Sequence, residues 1–156
     1  MKVVLLVVGK TDLKYCSDAL DDYQGRIKHY LRFDTKVIPD IKKTGSMTEL
    51  QQKELEGQQI CKFLEPGDWC ILLDERGKEF TSMQFAAYLE KRLQAAVKRL
   101  VFVIGGPFGF SDEVYTYAGE QIAISKMTFS HQMVRMIFLE QVYRAVTILR
   151  GEKYHH

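Results

Sequence analysis

The sequence predicts an α/β fold, with a mainly parallel sheet flanked by helices, in a single domain spanning residues 1–156. Two observations carry this prediction. Short apolar runs alternate with longer segments of helical period, which is typical of parallel strands joined by helical crossovers. No internal repeat and no linker rich in Pro, Gly and Ser divides the chain, and its length suits one hydrophobic core rather than two.

Five apolar runs are the predicted strands. The first is much shorter than a membrane span and lacks the basic leader and small-residue cleavage site of a signal peptide, so we interpret it as a buried strand. The predicted strands are residues 3–8, 37–38, 69–73, 100–104 and 122–124.

The first predicted helix covers residues 12–31, where apolar side chains recur at steps of three and four residues. Ser46 with Glu49 predicts a capping box at the start of a second helix, which the dipeptide Pro66-Gly67 closes. This second helix is mostly polar. We therefore expect it to lie at the surface.

Thr81 and Gln84 predict a capping box for a third helix, and a short helix follows Ser111. The last helix, residues 130–149, has apolar residues that do not fit one narrow stripe. We therefore expect it to pack on two sides, against its own sheet and against a further surface. Its apolar residues are Met133, Val134, Met136, Ile137, Phe138, Val142, Ala145, Val146, Ile148 and Leu149.

Charge and cysteine content restrict the function only weakly. The formal net charge is +2. The segment from Lys126 onward is richer in basic than in acidic residues, which fits either an anion-binding face or a solvated basic helix. Cys16, Cys61 and Cys70 are odd in number and lack C-x-x-C spacing, so we expect reduced core thiols in a cytoplasmic protein.

Three segments that follow predicted strands are candidate ligand loops, because open parallel sheets bind ligands beyond the carboxyl ends of their strands. They are residues 72–78, 104–109 and 124–129. The second has three glycines and a proline but matches neither the Walker loop nor G-x-G-x-x-G, so its residues alone allow a turn or a ligand loop equally. Asp74 could hold a ribose or cap a turn, and residues 75–78 are interpreted as a charged loop on the rim.

A metal site is not expected. His131 and Arg135 are one helical turn apart, but no acidic residue or cysteine accompanies them at metal-ligand spacing. No nucleophile elbow is present in the sequence. Composition alone would dismiss residues 151–156 as a fraying chain end.

Taken together, motifs along essentially the whole chain resemble one family in order and in spacing. The sequence is similar to the small bacterial SPOUT methyltransferases that modify N3 of a pseudouridine in 23S ribosomal RNA. The motifs are Leu73-Asp74 with Gly77-Lys78, Ile104-Gly105-Gly106-Pro107-x-Gly109, Ser125-Lys126-Met127-Thr128-Phe129-Ser130-His131-Gln132-Met133-Val134-Arg135, Glu140-Gln141-Val142-Tyr143-Arg144-Ala145 and Tyr154-His155.

The resemblance implies that the C-terminal part of the domain forms a deep trefoil knot, a rare exception to the rule that chains do not thread loops. The knot would bind S-adenosyl-L-methionine, mainly through backbone groups. Glycine at 105 and 106 would let the main chain approach the cofactor, and valine at 105 would block it without harming the fold. The implied cofactor residues are Leu73, Gly105, Gly106, Ile124, Ser125, Lys126, Met127, Thr128 and Phe129.

The resemblance also implies a homodimer whose sites are built from two chains, and 23S rRNA within the ribosome as substrate. Arg144 would face the anionic imidate or a phosphate, Tyr154 would stack on or orient the base, and His155 would take the proton. Neither a metal nor a membrane is implied. Ser130 and Lys153 stand where this family often has proline.

Two other functions remain open at this stage. A non-catalytic α/β nucleotide-binding module would show the same alternation of strands and helices and the same glycine loop. A structural ribosome-associated factor would bind the ribosome without transferring a methyl group.

Overall fold

The computed structural model describes residues 1–42 and 45–156. Within these ranges, strands and helices alternate along the chain. They are β1 (Lys2–Val8), α1 (Lys14–Ile27), β2 (Phe33–Ile38), α2 (Glu49–Phe63), β3 (Asp68–Glu79), α3 (Ser82–Leu93), β4 (Arg99–Ile104), α4 (Asp112–Tyr117), β5 (Glu120–Ala123), α5 (Met133–Leu149) and a final 3₁₀ turn (Lys153–His155).

The strands form one sheet in the order β2-β1-β4-β3-β5, and every neighbouring pair is parallel. The α/β class and the parallel sheet are therefore confirmed. Strand β1 lies in the interior of the sheet, and its residues from Val3 to Val8 are all buried because helices cover both faces. Among the described residues, no helix is long and apolar enough to cross a membrane.

The two faces of the sheet carry separate cores, since successive side chains of a strand point in opposite directions. Leu5 of β1 belongs to the core that also contains Ile27 of α1, Leu89 of α3 and Phe138 of α5. Leu6, the next residue, belongs to the core on the opposite face, formed with α2 and α4. Helix α5 packs against both α1 and α3, which places it on the first face.

One predicted capping box is confirmed and the other is wrong. Thr81 and Gln84 cap α3 reciprocally, as predicted. Helix α2 is capped by Thr48 and Gln51 instead of Ser46 and Glu49, so it begins at Glu49. Both pairs match the S/T-x-x-E/Q pattern, and the backbone geometry selects the second.

Helix α2 is less of a surface helix than its polar sequence predicted. Gln52, Glu56 and Gly57 are buried together with Ile60. Gly57 allows this close packing, because a Cβ there would lie 2.1 Å from Oγ of Ser111. The helix therefore presents polar side chains to the loop that follows β4.

Strand β3 is longer than predicted. Residues 75–78, interpreted from sequence as a charged loop, lie inside the strand, and its register with β5 shifts between Leu73 and Lys78. Gly77 sits at this irregularity, where an added Cβ would lie 2.6 Å from backbone atoms of Ile122. Contact between the two backbones holds this segment against β5. The pattern of apolar residues in the sequence does not reveal such a contact.

Helices α1 and α5 are shorter than predicted and are joined at their beginnings. The backbone N–H groups of Asp12 and Leu13, just before α1, donate to Oε1 of Gln132 at 3.0 and 2.9 Å. Ser130, predicted as the first residue of the last helix, lies in the turn before α5, where its Oγ accepts the N–H of Met133 at 3.1 Å. Gln132 thus binds two backbone N–H groups at the entry to α1, a helix whose N-cap residue makes no side-chain cap of its own.

Candidate functional site

The carboxyl ends of β4 and β5 and the part of β3 that follows Leu73 surround a cavity of about 710 Å³. Its walls come from residues 73–76, 104–110, 124–125 and 127–131, together with Lys53, Tyr115 and Val134. These are the three strand-end segments selected from sequence. The volume is in the range of a small-molecule site.

Most of the residues named as cofactor contacts lie around this one cavity. Those that line it are Leu73, Gly105, Gly106, Ile124, Ser125, Met127, Thr128 and Phe129. Lys126 is not part of the lining. Its side chain is 87% exposed, and Nζ lies 3.8 Å from a carboxylate oxygen of Glu79.

The two glycines of the β4 loop also leave room for side chains of this chain. A Cβ at Gly105 would lie 3.0 Å from the ring of Phe110, which is buried. A Cβ at Gly106 would lie 2.4 Å from Oε2 of Glu56. Valine at 105 would press on the ring of Phe110, which lines the same cavity, and the expectation that this change blocks the cofactor and spares the fold stays a prediction.

Glu56 is the group that Gly106 accommodates. Its side chain is buried, Oε1 accepts the side-chain N–H of Gln52 at 3.1 Å, and Oε2 has no hydrogen-bond partner among the described residues. Burial raises the pKa of this carboxyl, and the charge of Asp40 raises it further, while the bond from Gln52 acts in the opposite direction. Sequence reasoning missed this residue because it lies on a helix that appears polar and external.

Side-chain hydrogen bonds tie the walls of the cavity together. Thr128 donates its hydroxyl hydrogen to Oε2 of Glu75 at 2.6 Å, which joins the segment after β5 to β3. Ser125 accepts the N–H of Met127 on its Oγ at 3.0 Å and so shapes the turn itself. The segment after β5 is therefore fixed both by a hydrogen bond to β3 and by a hydrogen bond within its own turn.

Asp74 stabilises the local chain. It accepts the backbone N–H of Arg76 at 2.9 Å and the hydroxyl hydrogen of Tyr115. Burial alone would raise the pKa of Asp74, but the bonds from Tyr115 and Arg76 outweigh burial and lower it. Asp74 is thus hydrogen-bonded within its own chain, and it also lines the cavity.

Arg135 fastens the beginning of α5 to the end of β1. Its guanidinium is fully buried and donates to the carbonyl oxygens of Val8 at 2.6 Å and Gly9 at 2.9 Å, and to Oγ1 of Thr11 at 2.9 Å. Burial lowers the pKa of Arg135. His131 lines the cavity, and burial, followed by the charge of Arg135, lowers its pKa.

A second group of functional candidates lies on α5 and the final turn. Glu140, Arg144, Tyr154 and His155, hereafter the tail cluster, are joined by hydrogen bonds. Oε1 of Glu140 accepts from Nε and NH2 of Arg144 at 3.1 and 2.6 Å and from the hydroxyl of Tyr154 at 3.0 Å. NH1 of Arg144 lies 3.1 Å from Nδ1 of His155.

Aromatic contacts hold Tyr154 in the tail cluster. Its ring meets that of Tyr143 edge to face at 4.7 Å between centroids, and the guanidinium of Arg144 lies 4.8 Å from its centroid. Burial, with hydrogen bonds to Tyr23 and Glu140, raises the pKa of Tyr154. The three predicted catalytic residues are thus brought together, and none of them lines the cavity of this chain.

The site prediction from sequence missed Glu140, the residue at the centre of the tail cluster. Its spacing of four residues from Arg144 is a signal for a helical ion pair. The contact with Tyr154 had no such signal, because the tail folds back onto α5 only in three dimensions.

Comparison with known proteins agrees with this geometry. A family model described as "Predicted SPOUT methyltransferase" matches residues 1–155. Proteins named "Ribosomal RNA large subunit methyltransferase H" are similar over 100% of this chain and 99% of their own length, with 59% identity in Parabacteroides distasonis, 56% in Bacteroides fragilis and 51% in Porphyromonas gingivalis. The chain therefore belongs to the SPOUT methyltransferase family.

Proposed function

We propose that this protein is an S-adenosyl-L-methionine-dependent methyltransferase that methylates N3 of a pseudouridine in 23S rRNA. The observation that carries the proposal is full-length similarity to proteins named as large-subunit rRNA methyltransferases, in a chain whose strand ends surround a cavity of ligand size. The trefoil knot that the family resemblance implies is part of the same proposal.

The chemistry of the cavity fits this cofactor. Leu73, Ile104, Ile124 and Val134 provide apolar walls suited to an adenine ring, and the glycine loop brings main chain to the same space. Glu75 adds a carboxylate to the lining, and Lys53 and Arg76 add positive charges, a set that fits a ligand with charges of both signs. When bound, the cofactor supplies an electrophilic methyl group on its sulfonium sulfur.

The acceptor side of the site is proposed to come from a second copy of the chain. The tail cluster does not line the cavity of its own chain. Met133 and Leu149, near the two ends of α5, are exposed, which supports an apolar contact between two copies. In such a homodimer each cavity would face the partner's tail cluster.

In the proposed reaction, the bond between sulfur and the methyl carbon breaks as the bond between the methyl carbon and N3 forms, and N3 loses its proton. Arg144 stabilises the negative charge that remains on the imide, Tyr154 orients the base, and His155 lies at the imide edge. The enzyme's main contribution is to align the acceptor with the methyl group.

The proposed substrate is the assembled ribosome. The formal net charge of +2 is too small for strong binding of free RNA through phosphates alone. Recognition would therefore depend on the shape of the ribosome around the pseudouridine. The proposed location is the cytoplasm, where ribosomes reside.

Incubation with labelled cofactor and ribosomes that lack the modification tests this function. We expect one methyl group on a 23S pseudouridine, poor transfer to protein-free rRNA, and calorimetric binding of S-adenosylmethionine and S-adenosylhomocysteine. Cofactor binding without methyl transfer would support the non-catalytic nucleotide-binding module instead. Binding of only ATP or NAD would overturn the assignment of the cavity.

A further inference from the structure

We propose that His155 donates a hydrogen bond from Nε2–H to the methyl-accepting base and does not accept its proton. This inference rests on the proposed function and replaces the role expected for His155 from the sequence. It follows from the contact between His155 and Arg144, which determines where the imidazole carries its hydrogen.

Nδ1 of His155 lies 3.1 Å from NH1 of Arg144. A guanidinium has only donor N–H groups and no acceptor. Nδ1 must therefore be the acceptor in this hydrogen bond and carries no hydrogen. In a neutral imidazole with Nδ1 as acceptor, the hydrogen is on Nε2.

Glu140 fixes the guanidinium in the orientation that this contact requires. Oε1 of Glu140 accepts hydrogen bonds from Nε and NH2 of Arg144, and Oε2 of Glu140 accepts the side-chain N–H of Gln141 at 2.8 Å. NH1 is thereby turned toward the final turn. Glu140 is thus a positioning residue that acts on His155 through Arg144.

The other charged and titratable neighbours leave this assignment in place. Tyr154 directs its hydroxyl hydrogen to Glu140, and Tyr23 of α1 lies 3.3 Å from the Tyr154 oxygen rather than at the imidazole. The ring of His156 stacks on His155 with centroids 4.9 Å apart, and no hydrogen bond joins the two side chains among the described contacts. Among the described residues, Arg144 is the hydrogen-bond partner that determines which nitrogen of the His155 ring carries the hydrogen.

This assignment decides what His155 can do for the reaction. N3 of the base lies between two carbonyl groups, and loss of its proton places negative charge on their oxygens. Nε2–H can donate to one of these oxygens and stabilise that charge as it develops. The ring has no nitrogen free to take the proton, which passes from N3 to solvent water before the methyl group is transferred.

Nuclear magnetic resonance of ¹⁵N-labelled protein tests the tautomer without any turnover. The spectrum of neutral His155 should show hydrogen on Nε2 and none on Nδ1, with the signals assigned by their disappearance in His155→Gln. Arg144→Met should release this preference and mix the two tautomers. Hydrogen on Nδ1 of the wild-type ring would overturn the proposal even if the enzyme methylates ribosomes.

Single-turnover methyl transfer to ribosomes tests the consequence for the reaction. His155→Gln retains an N–H donor near the position of Nε2, so its rate should stay within about tenfold of the wild-type rate. The rate of His155→Glu, which has no such donor, should fall by a factor of about 10²–10³. His156→Gln is the matched control and should be unchanged. The wild-type rate should also rise as the pH is raised from neutral into the mildly alkaline range, because the deprotonated imide becomes more abundant.

The outcomes separate this proposal from the function on which it rests. A wild-type protein that transfers no methyl group would refute the proposed function, while the tautomer measurement would still report on His155. An active wild-type enzyme whose rate is independent of pH in that range, and whose His155→Gln variant is as inactive as His155→Glu, would identify His155 as the proton acceptor.

Discussion

The cavity and the tail cluster are constructed in different ways. The cavity is formed by the segments that follow β4 and β5 and by the middle of β3, and two glycines let the loop after β4 pack against α2 and against the ring of Phe110. The tail cluster consists of side chains from α5 and the final turn, joined through the carboxylate of Glu140. Damage to the cavity should therefore affect folding and binding together, whereas damage to the tail cluster should affect only the reaction.

Removal of the tail is the strongest test of this contrast. Deletion of residues 154–156 removes Tyr154 and His155 but no part of either buried core. Methyl transfer to ribosomes should fall by about 10²–10⁴, because a positioned side chain at the reacting group contributes on this scale. Melting temperature and calorimetric affinity for S-adenosylhomocysteine should change little.

His155→Ala should reproduce much of this loss, and His156→Ala should have little effect. The pair is matched because the two rings stack on each other at the end of the chain. Full activity of the truncated protein would show that the tail has no part in the reaction and would leave Arg144 as the remaining candidate.

Gly106→Ala tests the other half of the comparison. The new Cβ would lie 2.4 Å from the buried carboxylate of Glu56, so we expect a loss of about 1–3 kcal/mol in the free energy of unfolding, as is typical of overpacking. Cofactor affinity should decrease as well, because the displaced loop lines the cavity. Denaturant unfolding and calorimetry of the same preparation measure both quantities.

Gly25→Ala is the control for this substitution. A Cβ at Gly25 meets nothing within 4 Å, and the residue lies inside α1, so alanine should stabilise the protein by about 0.5–1 kcal/mol. Glu56→Ala combined with Gly106→Ala should cost less than the sum of the two single changes. Strict additivity would show that the two residues do not compete for the same space.

The same contrast explains how much could be predicted from sequence. Apolar runs located the strands because burial on both faces of a parallel sheet leaves a direct signal in composition. The end of β3 has no such signal in the sequence, because charged residues form it. Close backbone contact between Gly77 and Ile122 holds this end of β3 against β5. Motif resemblance selected segments that the fold brings to one cavity, but it gave no information on where individual side chains point.

The roles of Gly106 and Glu140 could not be predicted for one physical reason. Each depends on a partner that the fold brings from elsewhere in the chain, Glu56 for the glycine and Tyr154 for the carboxylate. Spacing rules describe neighbours on one helix or strand and do not reach such pairs. The pair of Glu140 and Arg144, at helical spacing, is the part of the tail cluster that a sequence rule could have found.

Glu56→Gln tests whether the carboxylate beside the cavity is stabilising or costly. An amide at position 56 could accept from Gln52 and donate to the orphan Oε1 of Gln52 in return. Satisfying both groups should stabilise the fold by about 0.5–1.5 kcal/mol at pH 7. Denaturant unfolding at several pH values measures the effect.

The sign of the pH dependence follows from the raised pKa of Glu56. The folded state holds the proton of this carboxyl more tightly than the unfolded state, whose value is near 4.5. The contribution of Glu56 to the free energy of unfolding is therefore greatest below the pKa of the unfolded state and decreases as the pH rises through the pKa of the folded state. The advantage of Glu56→Gln should appear above about pH 4.5 and then level off, and an advantage largest in acid would contradict the buried, partnerless state of Oε2.

The smallest expected effect concerns Lys126, which the family resemblance included among the cofactor contacts. Its side chain is 87% exposed, points toward Glu79 and does not line the cavity, so any contact with the cofactor would involve the main chain. Lys126→Ala should change affinity for S-adenosylhomocysteine by less than about twofold, since an exposed ion pair contributes little. Met127→Ala is the comparison, because Met127 is also exposed but lines the cavity, and its loss should weaken binding measurably. If Lys126→Ala weakened binding more than Met127→Ala, the cavity would depend on a charged side chain, and the contrast with the tail cluster would no longer hold.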